Sequence, residues 1–475
     1  VEDAPHRYVI YITGQGGIGK TRLVQHVLQT LSREKGSSLS VASMPVDMYH
    51  TINHTVEGFT RTLQEVLAPS GNGFEHYLEE RKRLHKIARE EIARWQEQRE
   101  RMINAFIDDL NHLAEKRRVV FALDTIEKLF PEEDPVAGRL GIRVTSPFIY
   151  EWLLKEFFPR LQNAVIILAG RPVPFASLEE DLRETGQFVS IQLRGLSEEE
   201  SLGYFKALER SLRERGSPRD IFVAERIEQW NDDDRLKIFR CLRDEDGTGR
   251  PILLALAIDY LAITGKSFPA IEGKTLPEAK ALSEGEREQI RNELLESIQA
   301  AIREASALTS DLILILAWLT KGADINLLAR LVDRSPKHKK MKEACRQLRD
   351  FSFVKIRPMD DRFFLHDEMY RLLRDPRGAI PDVIFQPLEE YYKERIRQLR
   401  DDISRLYVEA APKLPDWEEL AESVAVVQDA IIEDLHYKLR RNAVAGFVAY
   451  SLYSDEAIAA VDSVLDMQLQ TELMG

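Results

Sequence analysis

The feature that most constrains this chain is a glycine-rich octapeptide near its amino terminus. Residues 14–21 read Gly-Gln-Gly-Gly-Ile-Gly-Lys-Thr, which fits the phosphate-binding pattern G-x-x-x-x-G-K-[S/T] at every position. Residues 8–12 before it form an apolar run typical of a buried strand, and residues 21–28 after it carry apolar side chains at helical spacing. A strand, a glycine loop and a helix in this order predict a P-loop.

Each residue type in this loop contributes to phosphate binding in a different way. The glycines allow the backbone to curl until consecutive N–H groups point inward, and the helix N-terminus adds a partial positive charge. Lys20 brings a full charge to the β- and γ-phosphates, and the Thr21 hydroxyl is suited to ligate Mg²⁺. The residues predicted to bind the nucleotide are Gly16, Gly17, Ile18, Gly19, Lys20, Thr21 and Arg22.

Length and composition narrow the class of protein. A chain of 475 residues with 44% hydrophobic residues is too long for one core and predicts about three or four globular domains. The net charge of −13 disfavours a general binder of nucleic acids or anionic membranes, although a local basic patch stays open. Two distant cysteines, Cys241 and Cys345, exclude a disulfide scaffold and predict a reducing, cytoplasmic location.

The sequence contains no signal for a membrane span or for secretion. The longest apolar run, 251–263, is too short to cross a bilayer and carries Asp259, and no signal peptide is present. Because the chain starts with Val only a few residues before its first predicted strand, we expect it to be a piece of a longer protein.

The first two hundred residues alternate strands with helices. The further predicted strands are 39–46, 119–123, 164–168 and 188–193. The run at 119–123 is apolar on both faces, as a central parallel strand should be. Strands separated by helices require crossovers, so we predict an α/β fold with a doubly wound parallel sheet. A long charged helical insertion at about 74–116 is either a solvated surface or a partner-binding arm.

The rest of the chain is predicted to be helical, with one hairpin. Ser197 and Glu200 have the spacing of a capping box and start the helical stretch. Three helices followed by two short strands, 351–356 and 362–365, predict a winged-helix domain. The predicted order is a P-loop nucleotide-binding domain, a helical lid domain, a winged-helix domain and an all-helical segment, at 1–195, 196–305, 306–378 and 379–475.

A P-loop needs an acidic partner to hold Mg²⁺, and Asp124 stands where this partner is expected. It follows the apolar strand at 119–123, so we interpret it as the Walker B aspartate. In many ATPases of this broad type a glutamate comes directly after the aspartate and polarises the attacking water, but here that position is Thr125. Glu127 is either the residue that takes this role or an acid at the start of a helix. We therefore expect slow hydrolysis, or a nucleotide that is held and not turned over.

Three further motifs resemble those of the STAND class of signal-transduction NTPases, which includes NACHT and NB-ARC proteins and many bacterial immune sensors. Arg171, after the strand 164–168, resembles the sensor-1 arginine that reads the γ-phosphate. Pro251, in a Gly-Arg-Pro tripeptide, resembles the proline of the G-x-P motif that packs against adenine. His366 resembles the histidine of the family's winged helix, whose imidazole reaches back to the ADP β-phosphate.

This resemblance implies a switch held closed by ADP. ADP is contacted by the P-loop on one side and by Pro251 and His366 on the other, and exchange for ATP releases the winged helix. The chain then oligomerises and brings effector domains together, as in bacterial antiphage immunity. The implied cofactors are ATP or ADP with Mg²⁺, and the implied enzyme is a slow ATPase. The candidate catalytic residues are Lys20, Asp124, Glu127 and Arg171, and the candidate metal ligands are Thr21 and Asp124.

The same resemblance implies that the sensor repeats and the effector domain lie outside this sequence. The helical segment at the carboxyl end is similar to segments that lead into sensor repeats, so a trigger of unknown identity is expected to act through the C-terminal region. The effector is expected to lie outside this chain. Zinc-ligand spacing, a nucleophile elbow and protease-like patterns are missing from the sequence.

Two other functions stay open at this point. Winged helices often bind the DNA major groove, and the basic run at 337–342 gives the third helix a suitable start, so a DNA-binding regulator or initiator ATPase is the alternative. The net charge makes a nucleic-acid partner the less favoured reading. A metabolic NTPase that uses the P-loop for turnover is the third possibility.

Overall fold

The structure of this chain is a computed structural model. It describes residues 7–34, 38–84, 87, 92–129, 148–172, 180, 182–183, 187–357, 360–366, 369–370, 373, 379–410, 417–460 and 462–474. Contacts between residues divide the chain into two compact units. The first comprises Val1–Gly14, Lys20–Gln192 and Glu389–Gly475, and the second comprises Gln15–Gly19 and Leu193–Leu388.

The first unit is built on a six-stranded sheet. Its strands β1 to β6, in chain order, are Tyr8–Thr13, Leu39–Val41, Val46–Asp47, Arg118–Asp124, Ala164–Gly170 and Gln187–Gln192. The strand order is β2-β4-β5-β1-β6, with β3 also paired to β4, and each of these pairings is parallel. The parallel sheet predicted from the alternation of strands and helices is therefore confirmed.

The register of the sheet brings three strand ends to one edge. Strand β5 lies between β1 and β4, and it pairs Gly170 with Thr13 on one side and Leu168 with Leu123 on the other. Parallel strands in register end together, and ligands of open α/β sheets bind beside these carboxyl ends. The P-loop, Asp124 and Arg171 each follow one of the three strands, so the topology suits a ligand site at this edge.

The predicted strand at 39–46 is two short strands. Both β2 and β3 pair with β4, but the backbone between them leaves the ladder. The N–H group of Ser43 donates to the carbonyl of Val66, and Pro45 has no N–H group to donate. Continuous pairing is therefore impossible at this point, which the apolar pattern alone did not reveal.

The helices that precede β6 pack around the sheet. The helices α1 to α6 are Lys20–Arg33, Val56–Leu67, Glu75–Leu84, Ile92–Lys116, Phe148–Trp152 and Phe158–Arg160. Short 3₁₀ turns lie at Thr51–His54 and Ile126–Leu129, and a π-helical turn lies at Leu153–Phe157. The predicted charged insertion contains α3 and α4, and α4 buries Phe106 against Tyr77 with the ring centroids 5.1 Å apart. Its inner face thus belongs to the core, while most of its charged residues are exposed and Arg99 and Asp109 are partly buried.

The second unit is mostly helical. Its helices α7 to α16 are Glu198–Arg215, Pro218–Glu228, Asp232–Leu242, Pro251–Thr264, Pro269–Glu272, Leu276–Ala281, Glu284–Ala305, Ala307–Leu316, Ile325–Leu331 and Lys339–Leu348. The capping box of Ser197 and Glu200 starts α7 as predicted. An antiparallel hairpin follows α16, with β7 at Val354–Arg357 and β8 at Arg362–Leu365. Three helices and a hairpin in this order confirm the predicted winged helix.

Four long helices complete the chain. The helices α17 to α20 are Asp382–Ala410, Trp417–Arg441, Ala443–Ala459 and Ser463–Met474. Helices α18 and α19 pack against each other, and Tyr392 of α17 donates to Glu433 of α18 at 2.8 Å. In the part of the chain that the structure describes, no helix combines the length and the apolarity needed to cross a membrane.

Helix α10 has one acidic residue among buried residues that are otherwise apolar. Asp259 is 6% exposed, and its Oδ2 atom accepts two hydrogen bonds from Ser352, one from the backbone N–H at 3.0 Å and one from Oγ at 2.5 Å. Burial raises the pKa of Asp259 to about 7, although the two bonds from Ser352 and the charge of Arg219 act to lower it. The carboxylate is therefore held at an energetic cost.

We predict that Asp259→Asn stabilises the protein more at pH 8 than at pH 5. A raised native pKa means that the carboxyl group contributes stability below its unfolded value of 3.8, and this contribution is lost as the pH rises through about 7. The amide keeps an acceptor oxygen for Ser352 without a charge, so the stability difference between variant and parent should grow by up to about 3 kcal/mol from pH 5 to pH 8. Thermal unfolding of both proteins at the two pH values measures it. A difference that is equal at both values would show that Asp259 titrates normally.

Candidate nucleotide-binding site

The P-loop connects β1 to α1 and depends on glycine at two positions. Gly17 has φ of +77° and Gly19 has φ of +99°, a backbone conformation that other residues rarely adopt. A Cβ atom added to Gly19 would meet no heavy atom within 4 Å, so only the backbone conformation requires glycine there. The Lys20 ammonium donates to the carbonyl of Gly14 at 2.8 Å. The loop thus has the backbone form of a phosphate cradle.

Gly17 is also required by its neighbours. A Cβ atom added there would overlap the Cγ2 methyl group of Ile252 and lie 3.2 Å from Cε1 of His366. The segment Gln15–Gly19 belongs to the second unit, as do Ile252 and His366, so this contact lies inside one compact body. The P-loop backbone therefore packs against two side chains that are far away in the sequence.

The loop before Pro251 is fixed by hydrogen bonds and an ion pair. Gly249 and Leu196 exchange two backbone hydrogen bonds of 2.8 Å each. Arg250 is buried and binds Asp244 through two nitrogen atoms, at 2.8 and 2.9 Å. Burial raises the pKa of Asp244, while Arg250 opposes this shift. Pro251 then occupies the first turn of α10, where its missing N–H group costs nothing.

His366 directly follows the hairpin. Its backbone N–H donates to the carbonyl of Phe353 at 2.8 Å, and its own carbonyl accepts from Met369 at 2.8 Å. The first bond extends the pairing of β7 with β8 by one more step, and the second starts a helical turn. The histidine is therefore held by its backbone at the corner that directly follows the predicted strand 362–365. The next two residues, Asp367 and Glu368, lie outside the described residues.

Asp124 ends β4 and is 6% exposed. Its Oδ1 atom accepts from the N–H group of Thr125 at 3.0 Å, and Thr125 has φ of +61°. Asp47 pairs with Asp124 in register at the end of β3, which sequence reasoning missed. The Asp47 carboxylate accepts from Tyr49 N–H at 2.9 Å and so stabilises a turn. The position of Asp47 directly after the predicted strand 39–46 was the sequence signal that could have identified it.

Glu127 and Arg171 are brought together. The Glu127 Oε2 atom accepts from the N–H group of Arg171 at 3.0 Å, and Oε1 lies 3.7 Å from the guanidinium Nε atom. A Cβ atom on Gly170 would lie 2.6 Å from Oε2, so glycine is needed for this close approach. The carboxylate of Glu127 is therefore engaged with the predicted sensor arginine.

For several predicted site residues, the described contacts do not join them to the other site residues. Thr21 and Arg22 lie in the first turn of α1, with Thr21 partly buried and Arg22 exposed. The residue nearest to Gly17 is Ile252, which sequence analysis did not single out, and its place directly after the G-x-P tripeptide was the signal for it. Among the described residues, no three His, Cys, Asp or Glu side chains converge on a metal position.

The residues present fit a nucleotide with Mg²⁺. The loop provides backbone N–H groups in the curled conformation, and Lys20 provides a cation for the phosphates. Mg²⁺ in such sites takes most of its ligands from phosphate and water, so one hydroxyl and one carboxylate from the protein suffice. Thr21 and Asp124 are of this kind.

Comparison with known proteins gave one family match. The NACHT domain matches residues 8–210. A search of curated proteins found no match.

Solved structures similar to this chain include two of the Aeropyrum pernix ORC2 protein. Its ADPNP-ADP complexes are 15% identical over 77% of this chain and 86% of that chain, with a TM-score of 0.32. Its ADP form is 16% identical over 81% and 88%, with a TM-score of 0.29. Drosophila ORC bound to DNA is 14% identical over 77% and 88%, with a TM-score of 0.27. At such TM-scores the likeness supports no statement about this chain.

The NACHT match spans the P-loop, Asp124, Glu127 and Arg171, and the strands that it covers form the parallel sheet of the first unit. The sequence resemblance to this group of NTPases is thereby confirmed. Residues 8–210 of this chain match the NACHT domain, a family of P-loop NTPases, and this match supports nucleotide binding by that part of the chain.

Proposed function

We propose that this chain is a switch controlled by ATP and ADP, held closed by ADP and able to self-assemble when ATP replaces it. The observation that supports this most is the contact of Gly17 with Ile252 and His366. Through it, the P-loop backbone, the helix that Pro251 starts and the histidine after the hairpin belong to one compact unit.

A phosphate bound by the P-loop lies close to this contact. The N–H groups of the loop surround the phosphate, and the imidazole of His366 is next to Gly17. An imidazole N–H group donates to phosphate oxygen, and the bond is stronger when the ring carries a charge. We therefore propose that the β-phosphate of ADP is held by the loop, by Lys20 and by His366 together, with Pro251 against the adenine.

The switch requires a difference between ADP and ATP, because a ligand shifts an equilibrium only through unequal contacts in the two states. The γ-phosphate is that difference, and Arg171 is its proposed reader. The Arg171 guanidinium lies beside Glu127, so the γ-phosphate and Glu127 compete for one cation. We propose that ATP wins this competition, and that the contact of His366 with the loop is then lost.

The proposed output is assembly. Released chains oligomerise and bring effector domains together, in the manner of bacterial antiphage sensors. Thr21 and Asp124 are the proposed Mg²⁺ ligands, and a trigger acting through residues 379–475 is the proposed input. We propose a cytoplasmic location for this system, and the domain bounds 1–195, 196–305, 306–378 and 379–475 for its parts.

We predict that His366→Ala weakens ADP binding about tenfold, the change that loss of one hydrogen bond to a charged group produces. The variant should also assemble without added ATP, because its closed state is less stable. Calorimetric titration with ADP measures the first effect, and light scattering measures the mass of parent and variant before and after ATP.

Lys20→Ala is the matched control, because it removes the main phosphate cation and leaves His366 in place. It should purify without nucleotide, whereas the parent should copurify with ADP and gain mass after ATP. Unchanged ADP affinity in Lys20→Ala would exclude the P-loop as the site. A His366→Ala variant that stays monomeric and binds ADP as tightly as the parent would refute the closed-state contact.

We predict that Glu127→Gln changes the slow hydrolysis rate little and shifts nucleotide preference toward ATP. Glutamine keeps an acceptor for the Arg171 N–H group but loses the charge that competes for its guanidinium. Arg171 is 47% exposed, so the gain in the ratio of ATP to ADP affinity should be only about two- to fivefold. Single-turnover hydrolysis and competition titrations measure both. Brisk hydrolysis that Glu127→Gln abolishes would identify Glu127 as the catalytic base instead.

A DNA-binding function is the second candidate, and one observation favours it. Lys339 and Lys340 are exposed at the start of α16, the second helix of a helix-turn-helix arrangement with α15. For this function, duplex affinity should fall steeply with salt and weaken when both lysines are changed to alanine. Under the switch proposal, the parent and the double variant bind duplex DNA equally weakly at physiological salt. Fluorescence anisotropy at two salt concentrations distinguishes the two functions.

A further inference from the structure

The buried carboxylate of Asp259 joins the two elements that contact the P-loop. Asp259 lies on α10, seven positions after Ile252, whose side chain touches Gly17. Seven residues are two helical turns, or about 10 Å along the axis. At this distance from the loop, the carboxylate accepts both hydrogen bonds of Ser352. The contact of Ile252 and the contact of Asp259 are therefore made by one rigid helix.

The residue after Ser352 in turn contacts His366. This residue, Phe353, accepts the backbone N–H of His366 at 2.8 Å. Phe353 is 1% exposed and stacks on Phe351 with the ring centroids 5.2 Å apart, so this backbone carbonyl sits in a packed environment. Ser352, which is itself exposed, is therefore connected to His366 through one residue, the buried Phe353.

These contacts form a ring within the second unit that begins and ends at Gly17. Gly17 touches Ile252, α10 carries Asp259, Asp259 binds Ser352, and the residue after Ser352 holds His366, which lies beside Gly17 again. Burying a carboxylate costs free energy, so its presence in the core calls for a structural explanation. Here the explanation is geometric, since this carboxylate links α10 by hydrogen bonds to the segment before the hairpin.

A second link to the same segment is weaker. Arg219 binds the Asp350 carboxylate at 3.1 Å and lies over the Phe351 ring, but its side chain is 32% exposed. Exposed ion pairs contribute little because water and salt screen them. The double hydrogen bond from Ser352 to the buried carboxylate of Asp259 is thus the stronger of these two contacts, and it joins the segment to α10.

We infer that Asp259 is the positioning residue that holds His366 against the P-loop, and that breaking its bond to Ser352 accelerates ADP release without touching the phosphate site. This inference rests on the proposed function for its effect on ADP. The structural link between Asp259 and His366 is independent of any nucleotide. Each part therefore has its own measurement.

The first measurement follows hydrogen–deuterium exchange of the peptide 353–366 in nucleotide-free protein. Asp259→Ala leaves both donors of Ser352 unpaired, so the His366 amide should exchange at least about tenfold faster. Ser352→Ala removes only the Oγ bond and should give a smaller increase, of about threefold. Asp259→Asn keeps the acceptor oxygen and should exchange like the parent. This restoration by the conservative variant separates the hydrogen bond from the charge.

The matched control is Thr309→Val. Thr309 is 1% exposed and donates to Gln347 at 2.6 Å within the helices of the winged helix, so the variant loses a buried hydrogen bond that has no link to α10. It should lower thermal stability but leave exchange of the His366 amide within about twofold of the parent. Equal acceleration in Thr309→Val and Asp259→Ala would mean that general loosening explains the effect, which overturns the inference.

The second measurement is the release rate of a fluorescent ADP analogue chased with excess ADP. Asp259→Ala should release it about tenfold faster than the parent, the scale of one hydrogen bond to phosphate. In a His366→Ala background the same change should alter release by less than about twofold, because the residue that Asp259 positions is already gone. Additive acceleration in the two backgrounds would overturn the inference, as would a folded Asp259→Ala protein that releases at the parental rate.

The possible failures are distinguishable. If the parent binds no ADP through Lys20, the proposed function fails, and the exchange measurement still decides whether Asp259 holds His366. If the parent binds ADP and His366→Ala accelerates release but Asp259→Ala does not, only the inference fails. If Asp259→Ala does not fold, Ser352→Ala is used in both measurements. It is expected to accelerate exchange of the His366 amide and release of ADP, and parental rates in both would contradict the inference.

Discussion

The packing of Gly17 against Ile252 and His366 is the contact on which the rest of this account depends. It requires a glycine twice over, because the backbone conformation excludes other residues and the two neighbouring side chains leave no space for a Cβ atom. A phosphate loop usually presents its N–H groups to a ligand and its other side to its own sheet. Here that loop segment groups with the second unit, so its backbone contacts elements more than two hundred residues along the chain.

The second unit is organised so that both neighbours of Gly17 are well fixed. Asp244 holds Arg250, and the paired backbones of Leu196 and Gly249 hold the loop from which α10 starts. On the other side of the ring, Asp259 holds the segment before the hairpin. One buried carboxylate, Asp259, and one half-buried carboxylate, Asp244, are therefore used where apolar packing alone leaves orientation undefined, which suits a device that must close in one geometry.

The first unit offers a different kind of contact. Glu127 and Arg171 form a partly exposed pair at the edge of the sheet, and such pairs are weak enough to exchange partners. A strong, fully buried pair would resist a γ-phosphate, whereas we propose that this partly exposed pair gives way to it. Under the switch proposal, the hydrogen bonds to Asp259 keep His366 in position, and the pair of Glu127 with Arg171 is the contact that differs between the ADP and ATP states.

Local patterns were enough to predict much of the fold and half of the site. The P-loop, the parallel strands, the capping box at Ser197 and the hairpin before His366 depend on residues close in sequence, and the structure has them all. The split of the strand at 39–46 was missed because the prediction followed hydrophobicity alone. Pro45 interrupts the strand because it has no backbone N–H group to donate to the neighbouring strand.

The long-range contacts were not accessible in this way. Glu127 and Arg171 are 44 residues apart, and Asp259 and Ser352 are 93 residues apart, so only tertiary packing brings them together. Asp259 stood out in the sequence as a charge within an apolar run, but nothing local named its partner. Ile252 likewise read as one more apolar residue of a buried helix.

The most direct test of the central claim is an experimental structure of the protein with ADP bound. The account predicts one imidazole nitrogen of His366 within about 2.7–3.2 Å of a β-phosphate oxygen, with the P-loop N–H groups on the same phosphate. An ADP-loaded structure in which the imidazole lies more than about 6 Å from that phosphate, with no bridging water, would contradict it.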